Sequence, residues 1–129
     1  MRDILPYLGG KEALAITRRP EVFEKRGIPY LWITKVEGKN TIHPTSLAPL
    51  LQKLVDSADQ NTVIIFDGLE YLILENGFES VFKFLTTLKD KLILIGATLI
   101  VMLDPAAIEE KHLKLLEREF KWLDTKNKG

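Results

Sequence analysis

A chain of 129 residues, 46% of them apolar, is sized for one domain with a substantial core, and its composition excludes a disordered chain. Lys plus Arg and Asp plus Glu both number 18, so no overall field draws the chain to nucleic acid or anionic lipid. With no cysteine there can be no disulfide, thiolate nucleophile or Cys-ligated zinc, a composition that suits the cytoplasm.

In chain order, the amino terminus lacks a signal-peptide pattern. Gly9-Gly10-Lys11-Glu12 has the outline of a phosphate loop and fails its requirements. It lacks the upstream glycine, has Glu12 where a metal-binding Ser or Thr belongs, and precedes a strand instead of following one. Leu14 to Thr17 reads as the first strand. Pro20 then opens a short helix over residues 21–26, terminated by Gly27. Tyr30 to Thr34 is the second strand. Residues 36–43, with Gly38 and Asn40, form a polar loop whose pattern could also hold a hairpin.

Leu47, Leu50, Leu51, Leu54 and Val55 recur at helical spacing and predict a helix over 46–58. Ser46 is its cap and Pro49 is tolerated in its first turn. The run Thr62-Val-Ile-Ile-Phe-Asp67-Gly68-Leu-Glu70-Tyr71-Leu carries most of the information in the chain. It reads as a fully buried strand that ends on an acid and turns through Gly68 into a helix over 69–74. Nucleotide-binding α/β proteins hold Mg²⁺ or a water beside a phosphate in this way. A second helical segment follows Asn76-Gly77, with Phe78, Val81, Phe82, Leu85 and Leu88 on its buried face. The apolar run Leu92 to Leu103 is too short to span a bilayer, and a strand over 97–103 accounts for it.

Asp104-Pro105 is predicted to open the last helix, with Asp104 as cap. Leu113, Leu116, Phe120 and Leu123 line its inner face, and Glu110–Lys114 and Glu117–Lys121 pair on its outer one. Continuous apolar strands separated by helices predict an α/β three-layer sandwich with a mostly parallel four- or five-stranded sheet and helices on both faces. Residues 1–125 are expected to form the single domain, with 126–129 a frayed tail. The abrupt entry into secondary structure suits a domain excised from a longer protein.

Ligands of open parallel sheets sit beyond the carboxyl ends of the strands, which makes Asp67 the sharpest candidate. Glu70, one helical turn on, could join it in binding Mg²⁺ or positioning water. The alternative is that Asp67 caps the following helix through backbone N–H groups. Arg18 and Arg19 could bind phosphate or carboxylate, or serve as surface ion pairs. Thr34, at the end of the second strand, completes the candidate ligand-binding set of Asp67, Arg18, Arg19 and Thr34. His43 and His112 have neither the spacing nor the partners for zinc, and no Gly-x-Ser-x-Gly elbow occurs. Trp122, beside the inner stripe of the last helix, suggests an interface.

Ile16-Thr-Arg18, Leu31-Trp-Ile-Thr34, Asp67-Gly-Leu-Glu-Tyr-Leu72, Asn76-Gly-Phe78, Asp104-Pro105 and Leu115-Leu-Glu-Arg-Glu119 together resemble the archaeal family known as domain of unknown function 835. The resemblance covers almost the whole chain and implies no established activity. That family is itself similar to the RecA/KaiC-type ATPase core, which implies a degenerate P-loop-NTPase-like fold with Asp67 at the Mg²⁺-coordinating position. The phosphate loop and its Lys are missing from this sequence.

The leading expectation is a non-catalytic domain for protein interaction or regulation in a cytoplasmic protein, and the lysine- and glutamate-rich, cysteine-free composition would suit a thermophile. Its expected partner is a protein or a second copy of the chain, for which a homodimer is one form, with no membrane, and nucleic acid is not expected for this domain alone. No cofactor is expected. The enzyme alternative is a Mg²⁺-dependent nucleotide-binding or phosphohydrolase domain using Asp67, Glu70 and Arg18, with Asp67 and Glu70 as metal ligands. A nucleic-acid-associated role within a larger protein is the third reading.

Overall fold

The computed structural model describes residues 9–123. Five strands, β1 (Glu12–Thr17), β2 (Tyr30–Ile33), β3 (Thr41–Ile42), β4 (Thr62–Asp67) and β5 (Thr98–Met102), form one sheet in the order β3-β2-β1-β4-β5. Every neighbouring pair is parallel. The helices are α1 (Pro20–Glu24), α2 (Leu47–Ser57), α3 (Leu69–Asn76), α4 (Phe78–Ile95) and α5 (Glu110–Glu119). The expected α/β architecture with a parallel sheet is present. Among the described residues, no helix is long and apolar enough to cross a membrane.

Alternation along the strands sorts the core into two layers. Ile16, Leu31, Ile33, Ile64 and Phe66 point to the face covered by α2, α3, α4 and α5, where they meet Leu54, Leu69, Leu85 and Leu116. Phe66 meets the Phe84 ring edge-on at 5.7 Å. Ala15, Val63, Ile65 and Ile100 point to the opposite face, where they pack with Phe23 of α1. β4 lies between β1 and β5 and is buried on both faces, which explains its unbroken apolar sequence.

Several local expectations are corrected. The loop after β2 contains no hairpin: Thr41–Ile42 pairs parallel to Trp32–Ile33, so the chain returns to the same end before adding a strand. Asn40 enters that strand with a φ of 58°. Ser46 occupies the cap position of α2, but its side chain makes no cap bond. Asp104-Pro105 opens a 3-10 turn over Pro105–Ala107, its carboxylate accepting from the Ala106 N–H, and α5 begins only at Glu110. Phe120 therefore caps the end of α5 and Leu123 lies beyond it, half-exposed. Glu110–Lys114 forms as an i,i+4 pair. Glu117 instead accepts from the Trp122 indole at 2.7 Å, because Lys121 falls past the last turn. On α4 the fully inward positions are Val81, Phe84, Leu85, Leu88 and Leu92, and Phe82 stacks against Phe78 at their margin. The predicted tail 126–129 lies outside the described residues.

Candidate functional site

β1 leads into α1 on one face of the sheet, whereas β4 leads into α3 and α4 on the other. These two strands are neighbours, so the strand order reverses between them. A doubly wound sheet has its ligand crevice at such a point. Register pairs Thr17 at the end of β1 with Asp67 at the end of β4. The same row continues through Trp32 and Thr41 on one side and Met102 on the other. Strand alternation places the whole row on the α1 face.

Thr17 is fully buried and its hydroxyl has both roles filled: it donates to Asp67 Oδ2 at 2.9 Å and accepts from the Arg19 N–H at 2.8 Å. Arg19 Nη2 donates to both Asp67 oxygens, at 3.2 and 3.3 Å. The Asp67 side chain is only 13% exposed, whereas that of Arg19 is 51% exposed. The hydroxyl contact is thus the shielded, stronger half of this cluster and the ion pair the solvent-screened half. The cluster clasps the exits of β1 and β4.

Asp67 does not cap α3. Gly68 occupies that position, with φ at 141°, and no side-chain cap bond is made there. A Cβ on Gly68 would meet Ile33 Cδ1 at 3.1 Å and Arg18 Cγ at 3.5 Å, so backbone angle and crowding both select glycine. Reversal through Gly68 leaves the Asp67 carboxylate facing β1.

The other candidates are engaged elsewhere. Arg18 projects to the opposite face from Thr17, where Nη1 donates to the Ile33 carbonyl at 2.6 Å and the guanidinium lies over Tyr71, 4.2 Å from the ring centroid. Glu70 turns away from β1 toward β5, accepting from the Asp104 N–H at 3.0 Å. Asp67 and Glu70 thus contact residues on opposite sides of β4. Thr34 is buried; its N–H donates to the Ile42 carbonyl and its hydroxyl accepts from the Val36 N–H, fixing the turn toward β3. Among the described residues, no group of three or more His, Cys, Asp or Glu could hold a metal ion. His112 stacks on Phe78 at 3.9 Å and His43 Nδ1 lies 2.9 Å from the Thr45 hydroxyl oxygen, so both histidines have local structural contacts.

Sequence reasoning missed Tyr71 as the platform for Arg18 and the Asp104 amide as the partner of Glu70. It also missed an apolar cleft of about 50 Å³ between β5 and α5, lined by Val101, Leu103, Leu113, Leu116 and Phe120 with Trp122 at its end. The last-helix stripe and exposed Trp122 were the available signal, since Trp122 is 56% exposed.

The family model for a protein of unknown function, DUF835, matches residues 2–120. The chain belongs to this family. None of the curated proteins and none of the solved structures matches it significantly. The DUF835 match spans β1 to the end of α5, so it takes in the Asp67 cluster and the cleft as far as Phe120, and stops short of Trp122.

Proposed function

We propose that this DUF835 domain is a non-catalytic protein-interaction or regulatory module. The observation that carries this reading is the engagement of Asp67 by Thr17 and Arg19, with Glu70 and Arg18 likewise held by backbone groups. Groups that would have to meet a metal–phosphate instead tie strand ends and helix starts together. One accessible apolar cleft lies elsewhere, beside α5. Its volume of about 50 Å³ is well below the ~300 Å³ at which small-molecule pockets begin, a size suited to a protein side chain.

One observation favours a second reading, a Mg²⁺-dependent nucleotide-binding or phosphohydrolase domain: Asp67 stands where the strand order reverses. A distant relation to the RecA/KaiC-type ATPase core belongs with that reading. Calorimetric titration of the chain with nucleoside triphosphate and Mg²⁺ separates the two. The interaction reading expects no saturable heat; saturable binding abolished by Asp67→Asn would overturn it.

A further inference from the structure

Asn76 ends α3, and Gly77 is at once the C-cap of α3 and the N-cap of α4. An asparagine is most open to attack by the next backbone nitrogen when glycine follows it, because glycine brings no Cβ to obstruct the approach. Asn40 and Asn61 precede threonine, whose branched side chain crowds that path, and Asn127 precedes lysine. Asn76 is thus the labile asparagine of the sequence.

In the fold both reacting groups are held. Asn76 Nδ2 donates to the Pro44 carbonyl and to the Leu72 carbonyl, each at 2.9 Å. The Gly77 N–H donates to the Ile73 carbonyl at 2.7 Å. The bond to Pro44 spans 32 residues of sequence and ties the loop between β3 and α2 to the α3–α4 junction. Gly77 itself is exposed, with φ at 86°, so water stands beside the peptide bond that these contacts protect.

We propose that Asn76-Gly77 is a latent modification site: the fold silences deamidation there, and opening of the α3–α4 junction releases it. In the open junction the Gly77 backbone nitrogen attacks Asn76 Cγ. The N–Cγ bond forms, the Cγ–Nδ2 bond breaks, and ammonia departs carrying the former Gly77 amide proton. Water then opens the cyclic imide to aspartate or isoaspartate. The product cannot resume the native contacts. An ionised carboxylate at position 76 has no proton to donate, so it meets the Pro44 and Leu72 carbonyls as one more acceptor. Acceptors left facing a negative charge without a donor cost more than the lost bonds alone. The step is one-way, and it unfastens the entrance to α2.

Peptide mapping by mass spectrometry on the full chain, aged at mildly alkaline pH with isoaspartate as the readout, tests this. In guanidinium chloride Asn76 should be the first asparagine to convert. Under native conditions its rate should fall at least about tenfold, the factor set by a local opening free energy of ~1.4 kcal/mol. Asn76→Asp, the product made directly, should lower Tm by about 4–8 °C. It should also speed hydrogen exchange at the Thr45 and Ser46 amides while β4 stays protected. Equal rates in the folded and unfolded chain, or another asparagine converting first in denaturant, overturns the proposal. So does an Asn76→Asp chain with unchanged Tm or unchanged exchange in that loop. Should that variant not fold, the two rates decide.

Discussion

Replacing Asp67 by alanine should destabilise the domain, and the structure sets the size of the effect. The Thr17 hydroxyl is fully buried and donates to a carboxylate that is 13% exposed. A hydrogen bond to a charged acceptor in that setting contributes about 1.5–3 kcal/mol. The ion pair adds little, since a half-exposed Arg19 is screened and such pairs are worth about 0–1 kcal/mol. Thr17 keeps its second bond, from the Arg19 N–H, so its hydroxyl loses only its acceptor partner. The expected loss is about 2 kcal/mol, or roughly 8 °C in Tm for a domain of this size. Asp67→Asn, whose amide oxygen still accepts from Thr17, should lose about half as much, and Arg19→Ala less than about 1 kcal/mol. Thermal and urea unfolding of these variants with Thr17→Val in a double-mutant cycle measures the coupling directly. An unchanged or raised Tm in Asp67→Ala would refute the clasp. It is the result expected of a carboxylate kept for function at the expense of stability.

Gly68→Ala should cost about 2 kcal/mol by urea unfolding, because alanine is strained at φ 141° and its Cβ would press Ile33. Leu85→Ala, at a fully buried position in the larger core layer, should cost about 2–5 kcal/mol in the same assay. Lys89 Nζ donates to both the Glu119 carbonyl and its carboxylate, so Lys89→Ala should raise hydrogen exchange in the last turn of α5 while β4 stays protected.

The sheet was legible because β4 and its neighbours are apolar on both faces, a pattern that parallel strands between helices impose. Strand β3 was not: two residues carry no periodicity, and Thr41–Ile42 gains its identity only by pairing with Trp32–Ile33. Asp67 and Arg19 were legible as charges at an edge. Their mutual contact was not, because it depends on the register of Thr17 against Asp67 and on Gly68 reversing the chain at φ 141°. That Asp67 and Glu70 take different partners was hidden for the same reason: three-residue spacing implies proximity only within a helix, and Asp67 lies outside α3. For α5, Asp104-Pro105 is a sound opening signal, but it starts a single 3-10 turn, displacing Phe120 and Leu123 from the helical stripe.

The most direct measurement is a Mn²⁺ titration followed by amide NMR on the full chain. If the Asp67 carboxylate serves Thr17 and Arg19, the amides of residues 17, 67 and 68 should broaden no more than those beside other surface acids. Selective broadening centred on those three residues at low Mn²⁺, absent in Asp67→Asn, would contradict the account.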